Sequence, residues 1–196
     1  KEQVLQVALT YPKRFEELKS KINWKEDEAS QWEAIAVAMY FPKHPTEDLF
    51  LQQDGFLDKE LFPTNKISKE ERPINQHWSW DRILRSPYIK QADVLQGFYF
   101  FEDQFDIKSL ERHFDFYEPF TVHESSLSPC VHSILAAKLD KMELAYSFYL
   151  QTSRLDLDDY NNEVGEGLHI TSMAGTWMSI VEGFGGVRVK NNELHI

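Results

Sequence analysis

The tightest constraint in this chain is a pair of apolar helical faces joined by almost no linker. Val131, Ile134, Leu135 and Ala136 recur at helical spacing, and so do Leu144, Ala145, Phe148 and Tyr149. Only Leu139-Asp140-Lys141 separates the two runs, so the helices must lie antiparallel as neighbours. Pro129 suits the first turn of the leading helix, where its missing N–H costs nothing. The same texture of helix, short link, helix and long polar loop recurs along most of the chain. It predicts an all-α architecture of helical hairpins.

Val4, Leu5, Val7, Ala8 and Leu9 form a partly apolar helical face with no N-cap before it. Pro12 ends or restarts that helix, and Phe15, Leu18 and Ile22 continue it. A further helix is expected from about Glu26, through Trp32, Ile35 and Ala36, to Met39. Helical periodicity then lapses. Leu49-Phe50-Leu51 reads as a short extended segment, Asp54-Gly55 as a turn, and Lys66 to Asn75 as charged and irregular. A connection this long is often functional. Trp80, Ile83 and Leu84 resume a helix. A three-turn helix is expected from Ala92 to Phe100, and Asp106 is placed to cap Ile107 to Tyr117. Leu155 to Gly167 reads as a polar loop. A last helix is expected from Ile170 to Val181, stopped by Gly183, Gly185 and Gly186. Beyond it Val187 and Val189 alternate with Arg188 and Lys190, Asn191-Asn192 suits a turn, and Leu194 and Ile196 alternate again. This predicts a β arm whose partners lie elsewhere. The first residue is Lys1 rather than Met, with a helical pattern already running, so a piece of a longer polypeptide is expected.

Charge and composition exclude several classes. The formal net charge is −11 and no basic block occurs, which argues against nucleic acid as a partner. No run of eighteen apolar residues exists, so no membrane-spanning helix is expected. Cys130 is the lone cysteine, so no internal disulfide forms, and a reducing, cytoplasmic setting is the default. With Pro129 before it and apolar neighbours after it, Cys130 reads as a small buried hydrophobe rather than a nucleophile.

Polar clusters at loops and helix starts are the candidate chemistry. They are Asn75-Gln76-His77, Lys90-Gln91-Ala92-Asp93, His123-Glu124-Ser125-Ser126-Leu127-Ser128, Asp156 to Asn162, and Gly167-Leu168-His169-Ile170-Thr171-Ser172. Hydroxyls and free N–H groups at a helix start, as at Ser125, Ser126 and Ser128, either bind an anion or cap the helix. Lys90 adds a compact positive charge. Trp78, Trp80, Tyr88 and Tyr160 border polar loops, where rings stack on sugars or pack as core. His123 and His169 lack the spacing of a zinc motif, and no metal is expected. No pair of glycosidase carboxylates can be chosen among Asp81, Asp93, Glu118, Glu124, Glu163 and Glu166, because such pairs are defined in space.

The segments DGFLDKEL, RPINQHWSWDR, KQADVLQG, FYEPFTVHESSLSPCVHSILAA, RLDLDDYNNE and GLHITSMAGTW resemble the inverting α-glucoside phosphorylases. That family includes enzymes acting on maltose, trehalose, kojibiose and nigerose, and the texture here is nearest the maltose-cleaving members. The resemblance implies an (α/α)6 barrel, with residues 1–186 its later part and 187–196 the entry to a C-terminal β-sheet domain. It implies cleavage of a disaccharide, maltose first, by inorganic phosphate to β-glucose 1-phosphate and glucose, with no cofactor. It also implies a homodimer and a catalytic core completed by the rest of the same polypeptide. Lys90 and Gln91 match the family's sugar-binding pair. Ser125 and Ser126 match its phosphate loop, and His169, Gly175 and Thr176 match further phosphate-side positions. No stretch matches the family's general-acid motif. The acid is therefore expected upstream of Lys1, no catalytic residue is assigned here, and the isolated 196 residues are expected to be an inactive, non-catalytic piece.

Overall fold

A computed structural model describes residues 1–91, 93–160, 162–190 and 193–196. The chain divides into two compact units, Lys1–Phe41 and Pro42–Ile196. The first holds α1 (Glu2–Thr10), α2 (Pro12–Ile22) and α3 (Glu28–Ala38). Pro12 restarts the helix, as its fixed φ favours, and Asn23 closes α2 in the left-handed conformation. Trp24 meets Phe15 and Trp32 edge-on, with centroids 5.9 and 5.4 Å apart. α3 begins two residues later than the apolar pattern suggests, because Lys25 to Asp27 form a turn first.

The second unit runs through α4 (Ile74–His77), α5 (Trp80–Arg85), α6 (Asp93–Phe100), α7 (Ile107–Tyr117), α8 (Ser128–Lys138), α9 (Met142–Ser153), α10 (Leu155–Asp158) and α11 (Ile170–Met178). No helix among the described residues is long and apolar enough to cross a membrane. The expected cap at Asp106 is present, and Ser79 supplies a second. Ser79 Oγ accepts from the Arg82 N–H at 3.3 Å, and Asp106 Oδ1 accepts from the Ser109 N–H at 2.7 Å. The main core gathers Leu95 and Phe98 of α6, Leu110, Phe114 and Tyr117 of α7, Val131 and Leu135 of α8, and Ala145 and Phe148 of α9.

Leu49-Phe50-Leu51 is extended and forms an antiparallel bridge with Lys43, the His44 N–H donating to the Leu49 carbonyl at 2.9 Å and the Leu51 N–H to the Pro42 carbonyl at 2.7 Å, while side chains serve its other edge. The His113 Nε2 of α7 accepts from the Phe50 N–H at 2.8 Å. Tyr117 Oη donates to the Phe50 carbonyl and accepts from the Gln52 N–H, both at 2.8 Å. His113 Nδ1 faces the Ser109 carbonyl at 2.7 Å and donates to it, which fixes the tautomer. Burial pushes the His113 pKa down, in keeping with a neutral ring.

Four expectations change. α6 has eight described residues, little more than two turns, and Ala92 lies outside the described residues. The polar stretch 155–167 contains α10 and a 3-10 turn at Val164–Glu166. Gly183 does not stop the last helix, because α11 continues as a π-helical segment from Ser179 to Phe184. A Cβ on Gly183 would stand 3.4 Å from Ile134 Cα, an ordinary contact with α8. Finally, β1 (Arg188–Lys190) is not partnerless. It pairs antiparallel with β2 (Glu193–His195), in the register Arg188 to His195, Val189 to Leu194 and Lys190 to Glu193. The Asn191-Asn192 turn lies outside the described residues.

α8, α9 and α11 pack against one another. Ser133 Oγ donates to the Ala145 carbonyl at 2.8 Å, and Ser172 Oγ to the Thr152 carbonyl at 2.7 Å. A Cβ on Gly175 would sit 2.7 Å from Cys130 Cβ. Gly175→Ala is therefore expected to destabilise the fold by about 1–3 kcal/mol through overpacking. The urea midpoint measures this, and an unchanged midpoint would count against the contact.

Candidate functional site

A short parallel bridge brings the two leading clusters side by side. The Ile89 N–H donates to the Phe120 carbonyl at 2.9 Å, and the Val122 N–H donates to the Ile89 carbonyl at 3.0 Å. Lys90 and Gln91 leave this bridge on one strand, and His123 to Ser126 leave it on the other. Gln91 Nε2 consequently reaches Ser125 Oγ at 3.5 Å. Ser125 is buried, and its Oγ accepts the Leu127 N–H at 3.2 Å. Ser126 Oγ lies 3.3 Å from Thr171 Oγ1, in the first turn of α11. The loop at 125–126 thus touches the sugar-pair candidates on one side and a helix start on the other.

His169 stands at the N-cap position of α11. Asp156 holds it twice: Oδ2 accepts its N–H at 2.8 Å, and Oδ1 accepts from Nδ1 at 2.6 Å. The imidazole holds the Asp156 carboxyl below its usual range. Nε2 faces Glu163 Oε2 at 3.9 Å. Gly175 and Thr176 take their observed contacts elsewhere. Gly175 is buried against Cys130, and Thr176 Oγ1 donates to the Ser172 carbonyl at 3.0 Å within its own helix. Cys130 is buried as expected, and desolvation pushes its thiol up, away from nucleophilic character.

Beside the loop lies a cavity of about 600 Å³, whose walls include Lys69, Arg72, His123, Glu124, Gln151 and Tyr160. That volume suits a small ligand. Glu124 is buried and accepts the Ile74 N–H at 2.7 Å and Arg72 Nη1 at 3.4 Å. Burial raises its pKa against these donors and against the charges of Arg72 and Lys90. Lys69 and Arg72 come from the irregular 66–75 stretch, which the sequence flagged only as charged. Of the candidate stacking rings, Tyr160 borders this cavity and is half exposed, with its hydroxyl donating to Asp158 Oδ2 at 2.8 Å. Trp78 and Tyr88 line a second hollow of about 810 Å³. The Arg82 guanidinium covers one face of Trp78 at 3.5 Å, so that face is already occupied.

Beneath the loop is a cluster that sequence spacing did not expose. Glu118, just past α7, accepts from His132 Nδ1 at 2.6 Å with one oxygen and from His123 Nε2 at 3.2 Å with the other. His132 is fully buried on α8, and its other nitrogen, Nε2, has no partner. Such an orphaned acceptor costs on the order of 1–3 kcal/mol. Burial pushes the His132 pKa down. Burial also pushes Glu118 up, but the two imidazoles outweigh it and hold the carboxyl down to about 2. One donor atom from each of the three lies within 4.8 Å of the others, a set that suits a metal by type, yet hydrogen bonds within the cluster already engage these side chains. Glu118→Gln is expected to lower stability at neutral pH. The native carboxyl sits near 2 against an ordinary 4.5. Its contribution is therefore full above about pH 4.5 and lost as the pH falls toward about 2. The gap in unfolding midpoint between wild type and variant should close across that window. A gap independent of pH would refute the assignment.

Comparison with known proteins gives the family. Residues 1–178 match the family model described as the glycosyl hydrolase family 65 central catalytic domain. The chain is 53% identical over 170 residues to maltose phosphorylase of Bacillus subtilis (strain 168), covering 87% of this chain and 22% of that protein. It is 41% identical over 184 residues to the α,α-trehalose phosphorylase of Thermoanaerobacter brockii, covering 94% and 24%. A solved structure titled putative kojibiose phosphorylase from human microbiome superposes with a TM-score of 0.84 at 40% identity, covering 98% of this chain and 26% of that one. The chain therefore spans about a quarter of the length of these relatives. With a family model matched over most of its length, the chain belongs to glycosyl hydrolase family 65 and lies in that family's central catalytic domain.

Proposed function

We propose that this segment supplies the sugar- and phosphate-binding residues of a disaccharide phosphorylase that cleaves maltose. The observation that carries the reading is the contact of Gln91 Nε2 with Ser125 Oγ. It sets the sugar pair, Lys90 and Gln91, beside the phosphate loop, Ser125 and Ser126, as attack by phosphate on a bound glucosyl unit requires. Phosphate is already an anionic nucleophile, so no protein base is needed to activate water. A phosphate oxygen bonds to the anomeric carbon as the glycosidic C–O bond breaks, and the departing oxygen takes a proton from a carboxylic acid. That acid belongs to the remainder of the polypeptide, so the isolated 196 residues should turn over no maltose. His169, locked by Asp156, presents Nε2 from the start of α11, the positive end of a helix. Gly175 acts by letting α11 approach α8, and Thr176 by tightening its helix.

In this reading residues 1–186 are the later part of an (α/α)6 barrel, and the paired β1 and β2 within 187–196 open a β-sheet domain. The enzyme works in the cytoplasm as a homodimer without a cofactor. The 41% identity to a trehalose phosphorylase favours trehalose as the second substrate to test.

The full-length enzyme should release glucose 1-phosphate from maltose only when phosphate is present. Release of two glucose molecules by water would overturn the assignment in favour of a hydrolase. Lys90→Ala should lower kcat/KM for the glucoside. Ser126→Ala removes a hydrogen bond to a charged group, worth about 1.5–3 kcal/mol, and should raise the KM for phosphate about ten- to hundredfold. The KM for maltose should move far less. Equal shifts would indicate general damage to the loop.

A further inference from the structure

We propose that Glu118 is a positioning residue for the Ser125–Ser126 loop, acting through a hydrogen-bond chain, Ser128–His123–Glu118–His132, whose two ends both lie in α8. The proposal rests on the reading of that loop as the phosphate site. The loop leaves one anchor at His123 and enters the next at Ser128, the first residue of α8. Glu118 holds both. One oxygen accepts from His123 Nε2 at 3.2 Å, and the other accepts from His132 Nδ1 at 2.6 Å, one turn into α8. Ser128 Oγ and His123 Nδ1 then meet at 3.1 Å, so the hydrogen-bond chain starts on the first turn of α8 and ends on the next.

Chemistry fixes the donors that face Glu118. A carboxylate accepts and cannot donate. Both imidazoles must therefore turn an N–H toward Glu118. His123 does so with Nε2, and its Nδ1 pairs with the Ser128 hydroxyl. His132 carries its proton on Nδ1, which leaves Nε2 bare, and that is the buried nitrogen without a partner. An apolar side chain would fill the place of His132 with no orphaned acceptor. The imidazole is retained at that cost because it ties α8 to the carboxylate that also holds His123.

The anchored backbone is unusual. His123 has φ +55, a conformation that a residue with a Cβ adopts only where its surroundings impose it. Gln151 Nε2 donates to the His123 carbonyl at 3.2 Å, and the His123 ring packs on His132 and Phe148 with centroids 4.6 and 4.5 Å away. Three hydrogen-bonding side chains, Glu118, Ser128 and Gln151, and two packed rings thus fix the residue two places before Ser125. A small rotation there would carry the loop hydroxyls out of hydrogen-bond range of a bound anion.

The test uses the full-length enzyme with inorganic phosphate and maltose. Glu118→Gln keeps the shape but sets an amide N–H₂ against one imidazole N–H. It should raise the KM for phosphate about tenfold while changing the KM for maltose less than about twofold. Ser128→Ala, a smaller change at one end of the hydrogen-bond chain, should give the same one-sided shift. The double variant should lose no more than Glu118→Gln alone, because both break one hydrogen-bond chain. Parallel shifts in both KM values, additive losses, or no shift in either single variant would overturn the positioning role. Ser126→Ala separates this failure from failure of the loop assignment. If Ser126→Ala leaves the KM for phosphate unchanged, the phosphate reading falls and the proposal falls with it. If Ser126→Ala raises that KM and the Glu118 and Ser128 variants do not, only the positioning role is refuted.

Discussion

The structure depends on one helix that has no exposed face over most of its length. Nine consecutive residues of α8, Ser128 to Ala136, are buried. A helix buried on all sides is ordinarily apolar all round. Here it includes Ser128, His132 and Ser133, and each polar group buried in this way needs a partner. Ser133 bonds to a carbonyl of α9, Ser128 to His123 and His132 to Glu118. The neighbours are therefore positioned by donors and acceptors as well as by shape. Small residues complete the fit: Ala136 and Ala145 are fully buried, and Gly175 lets α11 come close to α8.

Much of this was legible in the sequence because the signals were local. The α8–α9 hairpin followed from two apolar faces and a three-residue link. The Asp106 cap, the restart at Pro12 and the turn at Gly55 each rest on the chemistry of one or two residues. Expectations changed where a distant element decided the outcome. Gly183 carries the local signature of a helix stop, yet the helix packed on α8 runs on through it as a π-helical segment to Phe184. Leu49 to Leu51 has the composition of a strand. One edge of its backbone meets residues 42–44, and the other meets the side chains of His113 and Tyr117, on a helix more than sixty residues along the chain. No period within the segment could announce that.

The candidate site divides along the same line. Lys90, Gln91, Ser125, Ser126 and His169 were nameable from contiguous motifs. What brings the first four together is the bridge between Ile89 and the Phe120–Val122 backbone, which is a tertiary fact. Glu118 and His132 lie fourteen residues apart, a spacing with no meaning in one helix, and they meet because α7 ends beside the second turn of α8. Lys69 and Arg72 were hidden for a simpler reason. A charged irregular stretch is usually a solvated surface, and only the fold shows it forming the wall of a cavity.

Net acidity raises a physical objection to any anion site here, since a formal charge of −11 opposes anions at long range. Two features answer it. Charges beyond about 8 Å are largely screened at physiological salt, so the local set of groups decides. Within that set the carboxylates are already engaged in holding donors. Asp156 is turned onto the backbone and ring of His169. Glu118 is divided between two imidazoles, and Glu124 accepts the Ile74 N–H and the Arg72 guanidinium. Each acid fixes an N–H, a ring or a cation in place rather than confronting the loop as a bare charge. The field at Ser125 and Ser126 is then set by oriented hydroxyls, the start of α11 and the nearby Lys90. An acidic chain can hold an anion there because its acids serve as the rigid mounts of its donors.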